Sequence, residues 1–160
     1  MLSNVESVTF RLTVVTPPSP SLTPPASWDD ISPEWMTAAL SATHPGALVD
    51  SVVVRMRDDG TNRRALLALT YSEGDGPATV FVKGVDPDHR ELIKMTSGLF
   101  HEPRLFAAGI ALPLEHPVVH AAVIDEAAED FVIVMEDLTA RGADRSEEHT
   151  SELQSPCTIS

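Results

Sequence analysis

Residues 49–83 read VDSVVVRMRDDGTNRRALLALTYSEGDGPATVFVK and contain the clearest structural pattern in the chain. Three apolar runs, at 49–56, 64–71 and 78–83, are separated by RDDGTNR and SEGDGP, which are rich in Gly, Asp, Asn and Ser. Apolar and β-branched runs of this length predict strands, and connections of this composition predict tight turns. We therefore expect three successive strands in an antiparallel meander.

The segments on either side of this meander complete an α+β pattern. A Ser-Pro-Glu start predicts a helix over 33–42. Residues 87–109 have a helical period that is interrupted near Gly98, and the apolar runs at 117–124 and 131–137 predict two more strands. The order helix, three strands, helix, two strands predicts an α+β fold, with an antiparallel sheet of about five strands and helices on one side.

Composition excludes several classes of partner. The 160 residues include 24 acidic and 11 basic side chains, which gives a net charge of −13. Nonspecific nucleic-acid binding depends on Lys and Arg neutralising phosphates, so we expect no nucleic-acid partner and no membrane-surface partner. No apolar run reaches the ~20 residues that span a bilayer. With no basic start typical of a secretory signal and one cysteine, Cys157, the sequence predicts a cytoplasmic protein.

The two ends of the chain differ from its centre. Residues 17–25, PPSPSLTPP, hold five of the thirteen prolines, so we predict a disordered, Pro-rich leader over 1–27. Residues 145–155, RSEEHTSELQS, have no hydrophobic period and resemble a translated sequencing adapter. We therefore expect 145–160 to be a non-native, disordered tail, and the folded unit to lie within 28–144.

Lysine is scarce, because Lys83 and Lys94 are the only two in the chain. Lys83 ends the third predicted strand, where its ammonium can meet the phosphates of a nucleotide, or can be an ordinary strand-end lysine in water. The first predicted turn contains Gly60, Thr61 and Asn62. Such a turn can offer main-chain N–H donors to phosphates, or can simply close a hairpin.

Glu102 is the acidic residue best placed to accompany this lysine. Leu105 and Phe106 follow it by three and four residues, so they share its side of the predicted helix and can anchor it against the sheet. A carboxylate held there can pair with Lys83, and the alternative is an exposed helical glutamate. Pro103 is tolerated only in the first turn of a helix, so the helix must begin or kink near it.

The sequence predicts no metal site. His101, His116 and His120 lack a metal-ligand spacing with acidic residues. The sequence contains no Gly-x-Ser-x-Gly elbow, no Walker-type glycine loop and no His-Glu-x-x-His helix. The acidic residues within 125–130 are typical of a solvated turn.

In this order, the features resemble the N-terminal lobe of the kinase-like small-molecule phosphotransferases, namely the aminoglycoside phosphotransferase family and its choline- and ecdysteroid-kinase-like relatives. The stretches that carry the resemblance, DGTNRRALLALTY, ATVFVK, LFHEPRLFAAG and FVIVMEDL, fall within residues 31–142. The resemblance implies a kinase-like N-lobe that binds ATP. It also implies an enzyme that transfers the γ-phosphoryl group of ATP to a hydroxyl of a small-molecule acceptor.

The resemblance implies roles for the residues at the phosphate end of such a site. Lys83 would contact the α- and β-phosphates of ATP, and Glu102 would form the ion pair that orients it. The turn formed by Gly60, Thr61 and Asn62 would cover the phosphates. The nucleotide and the small-molecule acceptor would be the partners of the full-length protein.

At the other end of the site, main-chain groups around Glu136, Asp137 and Leu138 would bind the edge of the adenine ring. The resemblance thus implies a role for the backbone at these positions and not for their side chains. The family carries its catalytic aspartate in a His-Gly-Asp type loop and its Mg²⁺ ligands in a C-terminal lobe, and no such motif occurs in this sequence. We therefore expect an incomplete domain, truncated before the catalytic loop, that contains no catalytic residue and has no turnover alone. The rival interpretation is a non-enzymatic, acidic α+β interaction module.

Overall fold

A computed structural model of the protein describes residues 22–109 and 116–141. The predicted leader up to residue 21 and the predicted tail with its cysteine lie outside the described residues. Within the described ranges, no helix is both long enough and apolar enough to cross a bilayer.

Five strands and three α-helices are found in the described residues. They are α1 (Pro33–Leu40), β1 (Leu48–Asp59), β2 (Asn62–Glu73), β3 (Thr79–Val85), α2 (Arg90–Thr96), α3 (His101–Ala107), β4 (Val119–Asp125) and β5 (Asp130–Glu136), with 3-10 turns at Trp28–Asp30, Pro87–His89 and Leu138–Arg141. The strands form one antiparallel sheet in the order β1-β2-β3-β5-β4. The α+β class and the five-stranded antiparallel sheet are confirmed.

The hairpin of β1 and β2 is longer and tighter than the sequence indicated. Each strand has 12 residues, and Gly60 and Thr61 alone connect them. The ladder continues to the pair of Asp59 and Arg63, and both residues lie in the segment 57–63 that the sequence predicts as a turn. Main-chain pairing does not require apolar side chains, so the two strands extend further than their apolar runs predict.

Both edge strands of the sheet are irregular. The register of β1 against β2 shifts at three places, Leu48/Val49, Val49/Ser51 and Val54/Met56. The register of β4 against β5 shifts once, between Val119 and Ala121. Irregularities of this kind bend a strand and increase its local twist.

The sheet divides the core into two clusters, as β5 shows. Val132 and Val134 pack in one cluster with α1, whereas Phe131 and Ile133 pack in the other with α2 and α3. Because successive side chains of a strand point to opposite faces, α1 covers one face and the other two helices cover the opposite face. The expectation of helices on one side is corrected in this respect.

Residues 22–27, predicted as part of the leader, are packed against the sheet. The guanidinium of Arg63 in β2 donates to the carbonyls of Ala26 and Pro25, at 2.5 and 2.7 Å. The same guanidinium stacks over the ring of Trp28, 4.6 Å from its centroid. A proline-rich segment keeps its main-chain carbonyls as acceptors, and a buried arginine satisfies them here. Composition alone therefore placed the boundary of the folded unit too late.

The predicted helical segment 87–109 contains two helices. Gly98, with a φ of 74°, follows α2 in the left-handed conformation that glycine adopts most readily. The second helix, α3, begins at His101, so Pro103 lies in its first turn, where the missing N–H has no intrahelical role. Glu102 therefore lies in the first turn of α3.

Candidate functional site

A continuous groove runs along the face of the sheet that carries α3. One part, of about 460 Å³, is the polar end, and it is lined by Thr61, Asn62, Arg64, Phe81, Lys83, Glu102 and Met135. The adjoining part, of about 510 Å³, is the apolar end, and it is lined by Met56, Leu66, Phe81, Pro117, Met135, Glu136, Asp137, Leu138 and Thr139. The two parts share Phe81 and Met135, so one elongated molecule can occupy both.

An ion pair between Lys83 and Glu102 forms the centre of the polar end. The Nζ atom of Lys83 lies 2.5 Å from Oε2 of Glu102. Lys83 follows the buried Val82 in β3, so its side chain leaves the sheet on the α3 face. Its side chain is 22% exposed, so the ammonium still borders the groove. The sequence allowed either this pair or two solvated charges, and the structure has the pair.

The helices on this face are attached to the turn between β4 and β5. Arg104 of α3 donates to Glu126 at 2.7 Å, and Lys94 of α2 donates to Glu129 at 2.7 Å. The hydrogen bond from Lys94 lowers the pKa of the Glu129 carboxyl. The sequence indicated only a solvated acidic turn, whereas these carboxylates bind the helix pair that carries Glu102.

The turn between β1 and β2 borders the polar end. Thr61 and Asn62 line it, and the N–H of Gly60 donates to the carbonyl of Asn62 at 3.3 Å. A Cβ at position 60 would lie 3.3 Å from Nη2 of Arg64, so glycine leaves room for the guanidinium. The Oδ1 atom of Asn62 is buried and has no hydrogen-bond partner within the described ranges. This acceptor is available to a donor group on a ligand.

Arg64 is a second cation at the polar end, and no local pattern in the sequence indicates it. It is the Cα partner of Lys83 in the ladder of β2 and β3, so both side chains leave the same face. Its Nη2 atom lies 2.8 Å from Oδ2 of Asp58. The signal was the register of β2 against β3, which pairs Arg64 with Lys83.

Asp137 shapes the apolar end through the main chain. Its buried carboxylate accepts from the hydroxyls of Thr79 and Thr139 at 2.8 and 2.6 Å, and from the N–H of Thr139 at 3.0 Å. Burial acts to raise the pKa of Asp137, but the hydrogen bonds from Thr139 and Thr79 outweigh it and lower that pKa. The side chain thus connects the start of β3 with the turn that follows β5.

Glu136 and Leu138 flank Asp137 on the wall of the apolar end. The N–H of Glu136 donates to the carbonyl of Val118 at 2.8 Å, and its carboxylate accepts from the N–H of Val118 at 3.1 Å. Leu138 opens the 3-10 turn and is 38% exposed. All three positions implied by the resemblance therefore line one wall, just after a central strand.

No family model, curated protein or solved structure matches this chain. Within residues 22–109 and 116–141, no three His, Cys, Asp or Glu side chains form a metal-binding group. Two cations and a hairpin turn lie at one end of the groove, and an apolar slot bordered by main chain lies at the other. This arrangement suits an elongated molecule with an anionic end and a flat apolar end.

Proposed function

We propose that the chain binds ATP in this groove, as the N-terminal lobe of a small-molecule phosphotransferase. The observation that carries the proposal is the presence, in one continuous groove, of the Lys83 and Glu102 ion pair and the apolar slot beside Glu136. Either feature alone is common on protein surfaces. Together they match the two chemically different ends of a nucleoside polyphosphate.

The phosphates would bind at the polar end. Lys83 is held by one carboxylate and is largely shielded by protein, so its ammonium is oriented before the ligand arrives. It would contact the α- and β-phosphates, and charge-assisted hydrogen bonds of this kind are short and strong. The turn of Gly60, Thr61 and Asn62 would cover the phosphates and supply main-chain N–H donors.

The adenine ring would occupy the apolar end. Leu66, Phe81 and Met135 line the slot from neighbouring strands and provide apolar surface for a flat ring. Main-chain groups around Glu136, Asp137 and Leu138 would bind the polar edge of the ring. The side chain of Asp137 holds this main chain in place through Thr79 and Thr139.

The reaction belongs to the whole enzyme and not to this chain alone. We propose transfer of the γ-phosphoryl group to a hydroxyl of a small-molecule acceptor, with a catalytic aspartate and Mg²⁺ ligands supplied by a C-terminal lobe. Mg²⁺ held by those ligands would supply charge neutralisation at the transferred phosphoryl group. The residues described here bind and orient the phosphates, so we expect nucleotide binding without turnover. A cytoplasmic location is part of the same proposal.

Calorimetric titration of ATP into the full 160-residue chain tests the proposal. Lys83→Met should weaken ATP binding by about 10- to 100-fold, because it removes a charge-assisted contact. Lys94→Met is the matched control. Lys94 is the other lysine of the chain and lies outside the groove, so its replacement should leave ATP affinity unchanged. Failure of the wild type to bind ATP, combined with saturable binding of a basic peptide, would favour the rival interaction module.

A further inference from the structure

We infer that Arg64 is a second phosphate-binding side chain, and that it makes the groove selective for ligands with two or more linked phosphates. This inference rests on the proposed function and extends it to a residue outside the resemblance. Arg64 and Lys83 are the cationic side chains among the lining residues of the polar end. They reach it from different strands, so they contact different parts of a ligand.

The geometry of the ladder places the two cations side by side. Arg64 and Lys83 are Cα partners across β2 and β3. Directly opposite side chains of an antiparallel pair have Cβ atoms about 5 Å apart and leave the same face. Two cations on opposite strands at this spacing suit two neighbouring phosphate groups of a chain.

Charge explains why one cation is insufficient. The ammonium of Lys83 is already paired with Glu102, so their combined charge is zero. The chain as a whole carries a net charge of −13, which opposes the approach of a polyanion. A guanidinium presents two parallel N–H donors to phosphate oxygens, and its charge is permanent. Arg64 is also paired, with Asp58, but its side chain is more exposed than that of Lys83, so a phosphate can take the place of the carboxylate.

The guanidinium of Arg64 is held where the phosphates would arrive. It lies against Gly60 beneath the turn, and its Nη2 atom forms an ion pair with Oδ2 of Asp58 across the hairpin at 2.8 Å. The side chains of Arg64 and Asp58 are 40% and 43% exposed. Ion pairs this exposed stabilise a protein little, so the guanidinium can exchange the carboxylate for a phosphate at low cost. Asp58 thus holds Arg64 in position while the groove is empty.

Titrations of ATP, ADP, AMP and inorganic tripolyphosphate into the full chain and its variants test this inference. Arg64→Gln should weaken binding of ATP, ADP and tripolyphosphate by about 10- to 100-fold and change AMP affinity by less than about 3-fold. Arg64→Lys should recover part of the lost affinity, since it restores the positive charge but not the two parallel N–H donors of a guanidinium.

The control is Arg57→Gln. Arg57 forms a comparable exposed pair with Asp29, its side chain is 43% exposed, and it does not line the groove. Its removal should leave the affinity for all four probes unchanged. Circular dichroism melting curves of each variant establish that it is folded before its affinity is compared.

The outcomes separate this inference from the proposed function. If the wild type binds ATP and Arg64→Gln binds it equally well, the inference is overturned and the proposed function stands. Equal losses for AMP and ATP also overturn the selectivity for linked phosphates. A third outcome is that tripolyphosphate binding depends on Arg64 but nucleotides bind no better than tripolyphosphate. The role of Arg64 in phosphate binding is then retained, and ATP is overturned as the ligand. Binding of none of the four probes by the wild type overturns both.

Discussion

His120 is a buried titratable side chain that lies outside the groove. Its Nδ1 atom is 2.9 Å from the hydroxyl of Thr43, its ring lies 5.3 Å from that of His44, and its Nε2 is buried without a partner within the described residues. Burial and then the neighbouring His44 lower the pKa of His120, and the opposing effect of Glu136 is smaller. The folded protein therefore disfavours the charged form of this imidazole, which lies on β4 against Thr43 and His44 in the segment after α1.

This histidine predicts a loss of stability in mild acid. Its folded-state pKa lies below the ordinary value of 6.5, so its stabilising effect is complete above that pH and decreases as the pH falls below it. Between about pH 7.5 and about pH 5.5, urea unfolding of the wild type should lose more free energy than that of His120→Gln. His101→Gln, at an exposed position, should follow the wild type. Parallel slopes for wild type and His120→Gln would refute the prediction.

Arg63 shows what one residue contributes to attachment of the N-terminal segment. Its guanidinium bonds the carbonyls of Pro25 and Ala26, stacks on Trp28 and lies 3.6 Å from Asp130, with its side chain 11% exposed. Arg63→Met should lower the free energy of unfolding by about 3 kcal/mol, because it leaves two carbonyls without their donor and the Asp130 carboxylate without its neighbouring positive charge. The exposed Arg57→Met should lower it by less than about 1 kcal/mol. Urea denaturation measures both, and equal losses would contradict this role.

At the scale of elements, the sequence predicted which strands and helices exist better than where they end. Period and turn composition identified all five strands. The ends of β1 and β2 next to their connection were not predicted, because main-chain pairing continues through polar residues that are typical of a turn. The face of the sheet that each helix covers was not predictable either. The segment FVIV at 131–134 is buried at every position, so it has no period that assigns one face to a helix.

The candidate site was predictable only where one element carries the signal. Lys83 at a strand end and Glu102 near the start of a helix were found from local pattern, and Pro103 correctly limited where that helix begins. Arg64 was missed because its position opposite Lys83 depends on the register of β2 against β3. Register follows from the length of the connection, which composition indicates only within a few residues.

For the whole molecule, the strand order creates the groove. A simple meander places each strand beside its predecessor, whereas here β5 lies between β3 and β4. This insertion brings Glu136 opposite Val80 and Met135 opposite Phe81, so the two ends of the groove become continuous. The sequence identified the strands on both sides of this junction but contained no local signal for their adjacency.

The open apolar end predicts that the chain binds a hydrophobic dye. Met56, Val118 and Leu138 are 36%, 45% and 38% exposed at or beside this end of the groove. Exposed apolar patches of this kind bind anilinonaphthalene dyes. ATP should displace the dye, whereas tripolyphosphate, which lacks a base, should displace little of it. Fluorescence titration measures both, and dye that ATP does not displace would place the apolar surface elsewhere.

The register shifts in β1 and β4 have a consequence for encounters between copies of the chain. A long, regular outer strand offers unsatisfied N–H and C=O groups to a strand from another molecule and so templates amyloid-like stacking. Both outer strands of this sheet are interrupted, β1 at three places and β4 at one, which bends their hydrogen-bonding groups out of a straight row. Self-association of this chain should therefore proceed through its apolar groove, as soluble clusters that ATP disperses, and not through fibrils.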